Sequence, residues 1–164
     1  MITSAIEHSS IIEMVKYYTK NNLAHIDLIA VDKNGFIKVD EIKSMIKKNT
    51  ILISVIHGNN EIGTITDINA IGQIAHEHKI PFHTDATQTF PKYDIDIIGN
   101  HIGALTASFH KLHGPKGIGF LLVRDKIISG YNLNPLIFGK QQGGMRGGTE
   151  NMIGIAGAFG AMKE

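Results

Sequence analysis

The sequence predicts an α/β fold, a mainly parallel sheet flanked by helices, in one domain over residues 1–164. Three observations predict it. Apolar residues alternate along the chain between a helical period and a strand-like one, as βα units require. The strand-like runs, Ile51-Leu52-Ile53-Ser54-Val55-Ile56 above all, are largely β-branched and uncharged, as strands buried on both faces are. Turn-rich stretches such as His57-Gly58-Asn59-Asn60-Glu61-Ile62-Gly63 follow the strands, where open α/β sheets keep their ligands. With 164 residues, 43% apolar and 19% charged, the chain is long enough for one domain with a substantial core and too apolar to be disordered.

Each element follows from local pattern. Met1-Ile2-Thr3 reads as the tail of a strand. Ser9 or Ser10 caps a helix through Ile11, Ile12, Met14, Val15 and Tyr18, which Asn21-Asn22 stops. His25 to Val31 is a strand, and Asp32-Lys33-Asn34-Gly35 a turn. Asp40 caps a short helix containing Ile42, Met45 and Ile46, and Thr50 to Ile56 is a buried strand. Asp67 caps a helix with Ile68, Ile71, Ile74 and Ala75 on one face. Phe82–Thr84, Ala104–Ser108 and Gly117–Val123 are strands, and the glycine-rich stretch Gly139–Gly148 is a loop. Asn151 onward is a helix; its apolar face has nothing downstream to complete its layer, so both ends of the chain are expected to be cut.

Composition excludes several function classes. A formal net charge of +1 with no Lys or Arg stripe gives no footprint for nucleic acid or an anionic membrane. The apolar runs are far shorter than a membrane span, and the first residues lack the basic and long apolar regions of a signal peptide. The expected location is cytoplasmic, or an organellar matrix. The chain has no cysteine, which excludes disulfides and thiolate metal sites; no metal site is expected.

The chemistry concentrates in Ser108-Phe109-His110-Lys111, directly behind the apolar run Gly103–Ala107. Upstream, Ile80-Pro81-Phe82-His83-Thr84 ends in Asp85-Ala86-Thr87-Gln88. Asn60, Asp85 and Lys111 each fall just after a predicted strand, so one sheet edge is expected to gather them. A buried lysine amine and a carboxylate at the ends of neighbouring parallel strands suit pyridoxal phosphate. That cofactor needs a lysine for its Schiff base and an acid opposite its ring nitrogen. Lys111 must be desolvated or near a cation to lose its proton, and His110 supplies such a neighbour. Ser108 and the N–H groups around it suit a phosphate.

Five segments, in order and spacing, resemble cysteine desulfurases of the class V aminotransferase family. They are Ile2-Thr3-Ser4-Ala5-Ile6-Glu7-His8, Asn59-Asn60-Glu61-Ile62-Gly63, Asp85-Ala86-Thr87-Gln88, Ser108-Phe109-His110-Lys111 and Met145-Arg146-Gly147-Gly148-Thr149-Glu150-Asn151. The resemblance implies a type I aminotransferase-like large domain, incomplete at both ends, from a transferase of iron–sulfur cluster assembly. It implies that Lys111 is the Schiff-base lysine and Asp85 the partner of the pyridinium. Gln88 then bonds the phenolic oxygen with Asn60 nearby, His8 stacks on the ring as a catalytic residue, and Ser108 and His110 bind the phosphate. Thr149, which also suits a helix N-cap, reaches the phosphate of the other subunit in a homodimer. L-cysteine is the implied substrate, a sulfur-acceptor protein the implied partner, and a selenocysteine lyase the near alternative. The family's persulfide-forming cysteine, its substrate-carboxylate arginine and a Gly-Ala-Thr-Glu phosphate loop have no counterpart here. The chain therefore reads as the central part of the large domain, either inactive alone, a split subunit or a non-catalytic remnant.

Two other patterns carry less. Asp32 to Glu41 matches positions three to twelve of an EF-hand loop, but Ala30 at position one has no ligand oxygen and a strand precedes it. His76 and His78 are two apart, a spacing at which a helix does not aim both at one metal.

Overall fold

A computed structural model of the protein describes residues 1–124 and 133–163. Among them lie six strands: β1 (Ile2–Ser4), β2 (Asp27–Ile29), β3 (Ile53–Ile56), β4 (Phe82–Asp85), β5 (Ala104–Ser108) and β6 (Gly119–Val123). Four α-helices accompany them: α1 (Ser9–Lys20), α2 (Val39–Met45), α3 (Ile68–Glu77) and α4 (Met152–Ala161). The sheet order is β2-β1-β3-β4-β5-β6. All pairs are parallel except β5–β6. The mainly parallel α/β sheet is the predicted one. Glu164, the end of the last predicted helix, lies outside the described residues.

Strand alternation sets the two faces. Ile53, Val55, Phe82, Leu105 and Ala107 join Ile68, Ile71 and Ile74 of α3 in one apolar core. On the other face, Ser54, His83 and Thr106 form a polar row across β3, β4 and β5. The Ser54 hydroxyl lies 2.8 Å from His83 Nδ1, and Thr106 Oγ1 lies 3.2 Å from Nε2. Burial holds the His83 pKa below its ordinary value, partly offset by Asp85.

Several predicted boundaries shift for identifiable reasons. His8, and neither Ser9 nor Ser10, caps α1: its Nδ1 accepts from the Ser10 backbone N–H. A ring nitrogen satisfies a helix-start donor as a hydroxyl would. Lys38 occupies the N-cap of α2 without a side-chain bond, and Asp40 sits in the first turn, where its charge meets the helix dipole. Asp67 caps α3 as predicted. Asn151, rather than Thr149, caps α4 through its bond from the Gly154 N–H. β2 and β3 are shorter than their apolar runs, and β4 runs on to Asp85. The predicted 139–148 loop contains one 3₁₀ turn, Gln142–Gly144. Asp32 spends its Oδ1 on the N–H groups of Asn34 and Phe36, a local turn with no helix before it.

α3 approaches the chain closely at Gly72, where a Cβ would stand 1.9 Å from the Asn100 carbonyl oxygen. This contact anchors the segment leading into β5, which carries the lysine motif. Alanine inside a helix ordinarily gains about 1 kcal/mol over glycine. Here the clash with backbone reverses the sign. Gly72→Ala is expected to lower the denaturation midpoint, by on the order of 2 kcal/mol in stability. A raised midpoint in urea would contradict this packing.

Candidate active site

The C-terminal ends of β1, β3, β4 and β5 converge on a cavity of about 370 Å³. His8 and Ser10 reach it from the start of α1, and Ile56 and Asn60 from β3 and its following loop. Asp85, Thr87 and Gln88 come from the end of β4, and Ser108, His110 and Lys111 from β5 and the turn after it. Seven of the eight candidate residues thus share one wall-to-wall site. Thr149 is not among its lining residues and is exposed, just ahead of α4. A larger concavity of about 460 Å³ lies at the other end of β3 and β4, lined by Lys43, Lys47, Lys48 and Lys79, and holds no candidate residue.

The lysine turn is held from both sides. Phe109 donates its N–H to the Ile118 carbonyl at 3.1 Å and accepts from the N–H groups of Leu112 and Gly114. Its ring packs at 5.7 Å on Phe120, and Leu112 is buried beneath. Gly117, at φ +79°, supplies the left-handed step that returns the chain into β6. A 3₁₀ turn, Phe109–Lys111, carries Lys111 past the end of β5 to the rim. Lys111 is therefore exposed, which corrects the expectation of a buried amine. The cavity is open there, and desolvation has to come from whatever fills it.

The other groups divide into buried and accessible. Asp85 is buried, and its Oδ1 accepts from the Thr87 N–H at 2.9 Å. His8 and His110 are exposed. Ser108 Oγ lies 2.6 Å from His110 Nδ1. His8 Nδ1 faces the Ser10 hydroxyl at 2.9 Å and the Ser10 N–H at 3.3 Å, so the neutral ring carries its proton on Nε2. Asn60 lines the cavity, while its neighbour Asn59 ties the loop together. The Asn59 amide donates to the Ile6 carbonyl at 2.8 Å, and its Oδ1 accepts from the N–H groups of Glu61 and Ile62.

Sequence reasoning passed over Ser10, Thr87 and Glu7. Glu7 is a buried acid between β1 and α1. It accepts from the Ser4 hydroxyl and, at 2.9 Å, from the Ile56 N–H. Burial pushes its pKa up to about 7, against the two hydrogen bonds and with help from the Asp85 charge. A charged residue inside the apolar-polar segment Ile2–His8 was the signal available.

The donor set fits one cofactor class. One cavity offers an amine, a buried carboxylate, an amide, hydroxyls and imidazoles within a volume suited to a small molecule. An aminotransferase class-V family profile matches residues 1–163. The chain belongs to the class V aminotransferase family, whose members use pyridoxal phosphate. The chain is 41% identical over 158 residues to the cysteine desulfurase IscS of Dictyoglomus turgidum, covering 96% of this chain and 39% of that one. A solved structure of SspA in complex with cysteine superposes with a TM-score of 0.90 at 41% identity, over 99% of this chain and 46% of that one. A NifS-like protein from Rickettsia africae gives a TM-score of 0.86 at 32% identity, over 98% and 43%. The chain spans less than half the length of these relatives. No helix among the described residues is long and apolar enough to cross a membrane.

Proposed function

We propose that this chain carries the central, cofactor-binding part of the large domain of a cysteine desulfurase, acting on L-cysteine. The observation that carries the reading is the convergence of Lys111 and Asp85 on one cavity at the carboxyl ends of neighbouring parallel strands. The similarity to IscS of D. turgidum and to the SspA complex with cysteine supports the substrate. When bound, pyridoxal phosphate supplies an electron sink for the bonds at an amino acid's Cα.

The chain's residues then divide the work. Lys111 would hold the cofactor through Nζ. Asp85, buried and fixed by Thr87, would favour a proton on the ring nitrogen of the bound cofactor. Gln88 donates to the phenolic oxygen beside Asn60. Ser108 and His110, already paired, present their polar atoms to the phosphate. His8, its ring fixed by the α1 cap, would serve the cofactor with its Nε2–H available for proton transfer. Thr149, outside this cavity, serves the phosphate site of a second copy in a homodimer. A sulfur-acceptor protein of iron–sulfur assembly, met in the cytoplasm, is the proposed recipient.

Asp85 provides the test. Asp85→Ala leaves the phosphate contacts in place, so cofactor binding by equilibrium dialysis is expected to weaken only a few-fold. Cofactor-dependent exchange of an amino acid's Cα hydrogen with D₂O, read by NMR, is expected to fall on the order of 100-fold, as when a preorganised charge partner is removed. Unchanged exchange in the variant, or no binding by the wild-type chain, would refute the reading.

A further inference from the structure

Glu7 is a buried acid for which the proposed chemistry has no use. It stands one residue before His8 and is 7% exposed. Its Oε1 joins the Ser4 hydroxyl to the Ile56 N–H, 49 residues away in the chain. His8 and Ile56 both line the cavity, so this one side chain pins the turn carrying His8 to the end of β3. Its Oε2 is buried as well and has no hydrogen-bond partner among the described residues. A carboxylate in that position would hold a full charge against a bare, undonated oxygen, whereas a carboxylic acid leaves only a hydroxyl uncompensated.

The surrounding groups act in the same direction. Burial is the largest influence, and the Asp85 carboxylate at the end of β4 adds like-charge repulsion. The hydrogen bonds from Ser4 and Ile56 oppose these without cancelling them, which sets the Glu7 pKa at about 7. His57, next after Ile56 on β3, is held below its ordinary pKa by burial and brings no compensating positive charge at neutral pH. His8, on the same turn as Glu7, is turned to the cavity and bonded to Ser10. Two neighbouring carboxyls share one charge more easily than they carry two.

We propose that Glu7 is a positioning residue of the cavity: through the Ser4 hydroxyl and the Ile56 N–H it braces the His8 turn against β3, and it shares the charge of that sheet edge with Asp85. Its bearing on a bound ring rests on the cofactor reading; the bracing and the shared charge do not. Glu7→Gln keeps an acceptor oxygen for Ser4 and Ile56 and removes the titration.

Carboxyl ¹³C NMR of the whole chain without cofactor, from pH 5 to 9, tests the proposal. The Glu7 side-chain carbon is expected to titrate with a midpoint near 7. The Asp85 carboxyl carbon and the Ile56 amide are expected to step at the same midpoint, and to lose that step in Glu7→Gln. A Glu7 carbon already ionised at pH 6, or an Asp85 signal indifferent to Glu7, overturns the proposal. The wild-type traces decide this even if the variant folds poorly. With pyridoxal phosphate added, the change in affinity between pH 6 and 8.5 is expected to differ about 10-fold between the wild type and Glu7→Gln. Equal pH profiles in both proteins count against Glu7. NMR coupling without any cofactor binding counts against the cofactor reading alone.

Discussion

Borohydride treatment of the chain with pyridoxal phosphate is expected to fix the cofactor on Lys111 and to leave the other thirteen of its fourteen lysines at background. Lys111→Ala is expected to abolish both the visible absorbance band and the stable adduct. The selectivity has to be positional. Lys111 is exposed like most surface lysines, so burial does not mark it out. What marks it out is the cavity. Ser108 and His110 sit one to three residues away and present polar atoms for a phosphate, and Asp85 lines the same cavity. Residues that would hold the cofactor at both ends would bring Lys111 to its aldehyde, and such proximity replaces a bimolecular encounter. Pyridoxal lacking the phosphate loses one of those anchors. It is expected to label several lysines weakly, without preference for Lys111. Peptide mapping by mass spectrometry reads all three outcomes. Equal labelling of another lysine in Lys111→Ala would remove Lys111 from the role.

The parts of this architecture legible in sequence were those set by local pattern. The core positions of α3, with Ile68, Ile71, Ile74 and Ala75 on one face behind an Asp67 cap, came directly from helical spacing. The placement of Asn60, Asp85 and Lys111 at or just past strand ends was legible as well, since the loop residues Asn, Asp and Gly cluster where β-branched runs stop. Features set by distant contacts were not legible. The burial of Glu7 depends on an N–H of Ile56, and His8 displaced two serines as the α1 cap because the turn it sits on is held by that same bond. The exposure of Lys111 follows from a 3₁₀ turn that the apolar pattern of β5 does not announce. The antiparallel direction of β6 was available but unread. Only residues 109–118 separate β5 from β6, and a parallel return needs a crossover of about a dozen residues or more.

Purified alone, the chain is expected to release sulfide from L-cysteine no faster than free pyridoxal phosphate does, even when the cofactor is bound at Lys111. The sequence contains no cysteine, so this polypeptide has no thiolate to attack the substrate sulfur, the route that the family resemblance implies. The residues gathered in the cavity cannot replace it: hydroxyls, imidazoles, carboxyls, amides and an amine make no persulfide. The resemblance also assigns the hold on the substrate carboxylate to an arginine with no counterpart here. A substrate gripped by fewer groups loses orientation, and a displacement of ~1 Å costs on the order of 100-fold in rate. Slow exchange of amino acids at Lys111 is the chemistry expected to remain, because it needs only the amine, the buried Asp85 and the phosphate anchors. Methylene-blue detection of sulfide distinguishes the cases. Sulfide release well above free cofactor, and lost in Lys111→Ala, would overturn the expectation and show a thiol-independent route. Supplying the segments that the longer relatives possess, by co-expression, tests the desulfurase reading directly. Recovery of sulfide release that still depends on Lys111 supports the cysteine desulfurase reading of this site. No recovery, with the cofactor still bound at Lys111, counts against that reading.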